Sequence, residues 1–306
     1  MTLPQFRGNI LVVILMNIKI TDVRAHKGDS AFLIDDGKTA VLYDTGFAFT
    51  GHLVAGNIKT ELGNRPLDYI FLTHSHYDHA AGSAYILKHY PQAKIVASAY
   101  TAEIFNREGA KKVMRSLDSK FARTCGVEEY EDLFDNLVVH IPVADGDVIK
   151  AGDMEFTAIE LKGHTKCSMG FYLASEKLLL SCESLGVYDG DKTIVPSYLV
   201  SYEDTLRSIE KVENMEIDHL LLPHYGILSS EQKEFYLSNA KKAATETFEE
   251  IKALLIKGKT KAELIEYFRN KFYKDRIKTI YPKDAMLLNT EITVSLVAKE
   301  TGIELN

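Results

Sequence analysis

Apolar and polar positions divide the chain into a strand-rich first part and a helix-rich last part. Runs of β-branched apolar residues predict strands near 10–20, 31–35, 39–43, 68–73 and 94–97. Asp35-Asp36-Gly37-Lys38 supplies a hairpin turn between the second and third of these. Residues 51–63 have helical spacing that stops at Gly63-Asn64, and residues 80–90 read as a helix stopped by Pro91. Strands resume at 137–142, 153–161, 169–174 and 177–181, residues 203–213 are helical, and 217–222 form a buried strand. Beyond Ser229 the pattern is almost wholly helical. Ser229-Ser230-Glu231-Gln232 offers an N-cap with an acidic first turn, and apolar positions recur through Phe248, Ile251, Leu254 and Leu255 until Gly258. Thr260-Lys261-Ala262-Glu263 opens another helix with a capping box, and a last helix covers about 283–301.

This organisation predicts a domain over residues 1–228 and a helical extension over 229–306. Residues 99–135 carry mixed charge with helical character, which reads first as solvated surface helices and second as a lid over a site. No internal repeat or low-complexity tract is evident. The apolar run at 10–16 is shorter than an export core, lacks a small-residue cleavage site and is far from the roughly 20 residues of a membrane helix. It reads as a buried strand or as an extension upstream of a natural start at Met16.

Composition adds that the chain is an ordinary globular one, with 46% hydrophobic and 26% charged residues over 306 positions. A net charge of −7 leaves no basic excess to neutralise phosphates, so a nucleic-acid partner is not expected. Cys125, Cys167 and Cys182 are odd in number and widely spaced, which makes no disulfide framework and suits a reducing cytoplasm. The expected partner is a small-molecule substrate, with no membrane and with homodimer formation left open.

The chemistry is concentrated in Thr73-His74-Ser75-His76-Tyr77-Asp78-His79-Ala80-Ala81-Gly82, where three imidazoles and a carboxylate fall within six positions at the end of an apolar run. Two further histidines stand in Gly163-His164-Thr165 and Leu222-Pro223-His224-Tyr225-Gly226. Imidazole and carboxylate together are donors that zinc, iron and manganese accept, and packing does not explain so many polar rings in one place. The segment is read as a metal site held between a buried strand and a helix. His26, His52, His89, His140 and His219 lack ligand company in sequence and read as surface or core-edge residues. His219 lies five positions before His224, so the two face opposite sides if the strand continues. Cys167, Tyr188, Tyr198, Tyr202 and Tyr225 read first as packing residues.

His74-x-His76-x-Asp78-His79, Gly163-His164-Thr165, an acidic residue at the end of the 177–183 segment and His224 resemble the metallo-β-lactamase superfamily, as do Gly28-Asp29-Ser30 and Tyr43-Asp44-Thr45-Gly46. The resemblance covers about residues 18–228. It implies an α/β four-layer αββα sandwich with two divalent metal ions at one edge, zinc first, with iron or manganese as alternatives. It implies that His74, His76 and His164 hold one ion and that Asp78, His79 and His224 hold the other. The bridging carboxylate departs from the usual Gly-Asp: the chain reads Ser181-Cys182-Glu183-Ser184. Glu183 aligns with that aspartate, and Cys182 is a competing thiolate donor. Asp78 is implied to orient the nucleophile and accept its proton. Asp44 is either a residue fixing an imidazole tautomer or a turn residue capping Thr45-Gly46.

Coordination lowers the pKa of water from about 15.7 to roughly 7, which makes hydrolysis the expected reaction. The resemblance does not choose among thioesters, lactones, lactams, phosphodiesters and sulfate esters. His76 stands where the diiron redox branch is expected to carry glutamate. No flavin-binding domain, export signal or extra nuclease domain is expected, and the C-terminal helices are similar to the thioesterase-like branch. A small ester or thioester is therefore the leading substrate class. The alternatives are lactonase or phosphodiesterase activity, or a metal-bound regulatory protein with vestigial catalysis.

Overall fold

The computed structural model describes residues 12–305, so residues 10 and 11 of the predicted first strand lie outside the described residues. The first sheet is built from β1 (Val12–Ile14), β2 (Lys19–Asp22), β3 (Phe32–Asp35) and β4 (Ala40–Tyr43), then α1 (Gly51–Leu62) and β5 (Tyr69–Phe71). A short α2 (Tyr77–Ala80) and α3 (Ser83–His89) lead to β6 (Lys94–Ser98), α4 (Ala99–Phe105), α5 (Glu108–Thr124) and β7 (Ile141–Val143). These seven strands run in the order β1 to β7, with β4 through β7 parallel.

The second sheet follows with β8 (Val148–Ala151), β9 (Met154–Glu160), β10 (Met169–Leu173) and β11 (Leu178–Leu180). A two-stranded hairpin, β12 (Val187–Tyr188) and β13 (Ile194–Val195), precedes α6 (Tyr202–Glu213), β14 (His219–Leu222) and β15 (Gly226–Ile227). The order in this sheet is β15-β14-β11-β10-β9-β8, with only β11 and β14 parallel. The chain ends in α7 (Ser230–Ile256), α8 (Lys261–Phe272), α9 (Ile277–Ile280) and α10 (Lys283–Thr301). No helix among the described residues is long and apolar enough to cross a membrane.

Layering follows from strands that are apolar on both faces. In β4, Val41 and Tyr43 point into the core between the sheets, while Ala40 and Leu42 point to the core under α1, α3 and α5. In the second sheet, Leu178, Leu180 and Leu221 enter the shared inner core, whereas Leu179, Leu220 and Leu222 meet the outer helices. Each such buried leucine stabilises the sandwich by about 1.5–3 kcal/mol. The result is helix, sheet, sheet, helix, the expected four-layer arrangement. The C-terminal helices share one apolar cluster with the outer face of the second sheet, in which Tyr236, Phe248, Phe268 and Val294 meet Leu179 and Leu220.

Departures from the predicted elements have local causes. The expected first strand is two antiparallel strands, because the chain turns at Leu15–Ile18 (N to O 2.9 Å) and Asn17 is pinned by the carboxylate of Glu176. β8 was not predicted: as an edge strand it buries only Ile149 and Ala151, too few positions to give a clear period. The 80–90 helix begins later, at Ser83, because the metal-motif residues form their own short turn. Gly82 joins the two, and a Cβ there would lie 2.2 Å from the Thr45 carbonyl oxygen, so no other residue fits. Both capping boxes form, Ser229 with Gln232 and Thr260 with Glu263.

The 99–135 region packs firmly along one side. Asp118 of α5 is buried and accepts hydrogen bonds from the backbone N–H groups of Ala48 and Phe49 and from the Tyr130 hydroxyl. Burial pushes its pKa up to about 7, against those bonds. Unfolded aspartate titrates near 3.9, so between about pH 4 and 7 the folded chain retains a proton the unfolded chain has lost. The stability Asp118 contributes is therefore complete below about pH 4 and is lost as pH rises through 7, by up to about 1.4 kcal/mol per unit. Urea titrations at pH 5 and pH 7.5 should show wild type losing more stability than Asp118→Asn, and equal losses would contradict this account.

Candidate metal centre

The predicted donors converge where strands of both sheets end. His74 follows β5, His164 lies between β9 and β10, Glu183 opens a single 3-10 turn after β11, and His224 follows β14. The two sheets are stitched at this edge by Met169 N–H donating to Thr73 O (2.8 Å) and by the Tyr43 hydroxyl donating to Ser181 O. Two sets of donor atoms result: His74, His76, His164 and Glu183 in one, and Asp78, His79 and His224 in the other.

Glu183 reaches both. Its Oε2 lies 2.9 Å from His164 Nε2, 3.7 Å from His79 Nε2 and 3.8 Å from His74 Nε2, while Oε1 lies 3.5 Å from His224 Nε2. Asp78 Oδ2 stands 3.8 Å from His79 Nε2 and 3.7 Å from His224 Nε2. The longer side chain thus still spans the two sets. Cys182 turns the other way, into the apolar cluster beside Leu161, with Sγ 3.7 Å from the Leu161 carbonyl oxygen. Burial pushes its thiol up to about 12, in keeping with that apolar setting.

Hydrogen bonds on the far side of each ring decide which nitrogen carries the proton. His164 Nδ1 faces Ser197 O (2.8 Å) and His224 Nδ1 faces Gly28 O (2.9 Å), and carbonyl oxygens can only accept. The Thr73 hydroxyl donates to Asp44 and so accepts from His74 Nδ1, at 2.9 Å. His79 Nδ1 donates directly to Asp44 Oδ2 at 2.7 Å. Asp44 also accepts from Ser30 and from the Thr73 backbone N–H. Asp44 therefore orients two imidazoles through its carboxylate. The next residues take other partners, Thr45 N–H bonding His79 O and Gly46 N–H bonding Ser30 O, so the capping role fails.

With Nδ1 protonated, each of these rings turns its Nε2 inward. His224 Nε2 then faces His79 Nε2 at 3.2 Å, and His164 Nε2 faces His76 Nδ1 at 3.0 Å. His74 Nε2 and Glu183 Oε1 are buried without a hydrogen-bond partner. Buried acceptors this close are costly unless a shared proton or a cation lies between them. Burial, joined by the neighbouring imidazoles, holds His74 and His76 well below the ordinary imidazole pKa, so both are neutral. Burial also disfavours charge on His79, but Asp78 and Asp44 outweigh it and hold its pKa well above the usual value. The pocket attracts positive charge, and its nitrogen and oxygen donors suit a divalent ion.

Strain is concentrated at the same place. Asp44 and His224 take left-handed backbone conformations, with φ of 54° and 59°. Arg24, which sequence reasoning missed, holds the second by donating to His224 O while its guanidinium forks onto Asp22. Pro223 and this turn end the strand at Leu222, so the alternation argument for His219 does not reach His224. Gly163, at φ 125°, accepts from the N–H groups of Leu199 and Val200, and any Cβ would strike Thr205. Ser197 and Tyr281 were also missed, since neither lies in a recognisable motif. The Tyr281 ring is 6.4 Å from that of His224. Tyr188, Tyr198, Tyr202 and Tyr225 pack among aromatic neighbours, and Cys167 sits under the site with Sγ 3.1 Å from Thr165 Oγ1 and 3.4 Å from Ser75 Oγ.

A sequence model of the metallo-beta-lactamase superfamily matches residues 28–224, the span that carries these donors from end to end. The chain belongs to that superfamily. Within the superfamily, it is 26% identical over 258 residues to the Flavo-diiron protein FprA2 of Clostridium acetobutylicum, covering 74% of this chain but 57% of that protein. This chain thus spans little more than half of that relative. It is 25% identical over 217 residues to the human Acyl-coenzyme A thioesterase MBLAC2, covering 66% of this chain and 74% of the relative. A metallo-beta-lactamase family protein of Thermus thermophilus shares the fold at a TM-score of 0.60 and 17% identity, over 96% of this chain and 93% of that one.

Because Arg24 secures a strained ligand backbone, Arg24→Ala should weaken retention of an ion by the His224 set about tenfold or more. Competition against a chromophoric chelator would measure this, and unchanged affinity would remove Arg24 from the site. Chelation of the wild-type protein should lower its melting temperature by several degrees, with recovery on adding zinc.

Proposed function

We propose that the chain is a hydrolase that uses a pair of divalent ions to cleave a small ester or thioester. His74, His76 and His164 would hold one ion, Asp78, His79 and His224 the other, and Glu183 would bridge them. The observation that carries this reading is the two sets of inward donor atoms spanned by one carboxylate, which fits two adjacent cations rather than one. When bound, such ions lower the pKa of water to roughly 7 and polarise a carbonyl oxygen.

The protein's own groups do the rest. Asp78, buried at the rim of the second set, can orient the attacking water and accept its proton. Asp44 keeps His74 and His79 in the tautomer that presents Nε2. An open cleft of about 830 Å³, counted with the solvent at its mouth, lies beside Tyr77 and Tyr281, is lined by Lys120, Lys278 and Lys283 among others, and admits a small molecule. Similarity to an acyl-coenzyme A thioesterase supports an acyl substrate.

The clostridial relative favours a second reading, a diiron redox centre. His76 argues against it, since an imidazole occupies the position where that branch is expected to carry glutamate, and its Nδ1 joins the first donor set. Elemental analysis of protein purified without added metal should find about two ions per chain. Glu183→Gln should lower that number and Cys182→Ala should not. A panel of acyl-CoA, glutathione thioester, lactone and phosphodiester substrates should show turnover of the acyl compounds, reduced at least 100-fold by His76→Ala. Turnover of the phosphodiester alone would refute the acyl reading.

A further inference from the structure

Behind the metal centre lies a second space that the reading above does not use. It is a slot between the β12–β13 hairpin and helices α7, α8 and α10, walled by Val187, Val195, Ile251, Phe268, Phe272 and Met286. The slot is narrow, with about 430 Å³ between its walls when the solvent at its mouth is included. Ser197, Thr247, Asn289, Thr290 and Thr293 complete the lining, and its apolar walls gain free energy by taking up hydrocarbon.

Its inner end touches the site. Ser197, on the slot wall, accepts the Nδ1 proton of His164 on its backbone oxygen and has its own hydroxyl 2.9 Å from that nitrogen. Tyr281 lines both the slot and the lysine-bearing cleft on the opposite side. Its ring faces His224, and its hydroxyl is held by the Asn289 amide. Ser197 and Tyr281 therefore join the slot to the donor cluster, and Tyr281 also borders the cleft that carries Lys120, Lys278, Lys283 and Asp284.

We propose that this slot is the acyl-chain pocket of the site, shaped for an unbranched aliphatic chain, with Tyr281 separating chain from leaving group. The proposal rests on the hydrolase reading and narrows it to acyl compounds whose leaving group is anionic. The reaction balances as hydrolysis: the water oxygen bonds to the acyl carbon, the bond from that carbon to sulfur or oxygen breaks, and the leaving group takes the proton. The acid product keeps its chain in the slot, while the cationic cleft holds the released anion.

The test is an acyl-length series from acetyl to octanoyl, as p-nitrophenyl esters and as CoA thioesters, with metal-loaded protein. The expected result is a kcat/KM rising about threefold to fourfold per methylene until the slot is full. Thr290→Phe, which fills the slot from α10, should cut the hexanoyl-to-acetyl ratio at least tenfold; Thr247→Leu, from α7, serves if the first variant does not fold. Calorimetric titration of metal-free wild type with octanoate supplies a readout independent of turnover and should show binding that Thr290→Phe abolishes. Acyl turnover without chain-length dependence, or a series unaltered in both variants, overturns the slot and leaves the hydrolase reading intact. Octanoate binding without any acyl turnover supports the slot and overturns the hydrolase reading. Neither turnover nor binding overturns both.

Discussion

Five imidazole rings and two carboxylates meet at one edge of the sandwich, and their inward nitrogen and oxygen atoms come as close as 2.9–3.2 Å. In a buried setting such crowded acceptors need a shared proton or a cation between them, and the hydrogen bonds behind the rings keep the Nε2 atoms turned inward. Relief through rotation is blocked: Ser197, Gly28, Thr73 and Asp44 each hold one ring in place. The fold thus maintains a concentrated demand for positive charge, and the function proposed for the chain follows from how that demand is met.

The scaffold can sustain this because its strands are buried on both faces. Alternate residues of β4, β11 and β14 lock each sheet between a shared inner core and an outer helical layer, so the strand ends are rigid platforms. Backbone strain at Asp44 and His224 is tolerated where the surroundings over-determine it, with Arg24 clamping one and four hydrogen-bond donors surrounding the carboxylate of the other. Glu183 shows the same economy of geometry. It opens a single turn of 3-10 helix, and from there its carboxylate reaches both donor sets.

Much of this was legible in the chain, and what was legible had a local signal. The compact motif from His74 to His79 could be read because ligand spacing is fixed by a strand end and one helical turn. The strand positions followed from continuous apolar runs, and both capping boxes from four-residue patterns. Elements without a local signal escaped: the β12–β13 hairpin has two-residue strands, and β8 is an edge strand. Arg24, Ser197 and Tyr281 escaped for a different reason. Each reaches the site only through tertiary contacts, over sequence separations of 200 residues from Arg24 to His224 and 33 from Ser197 to His164, which no window on the sequence can register. The choice between Glu183 and Cys182 was also a tertiary matter, decided by which of two adjacent side chains faced the inner edge.

The three cysteines are all free, so no disulfide cross-links the two halves of the sandwich. The donors that converge at its edge nevertheless come from positions 74 through 224, and both sheets contribute. An ion seated there would act as the molecule's removable rivet, holding distant stretches of chain together in the folded state alone and adding its binding free energy to the stability of that state. Mechanical integrity in this protein would then track the metal supply of its surroundings, so that starvation for the ion loosens the architecture as well as silencing the chemistry.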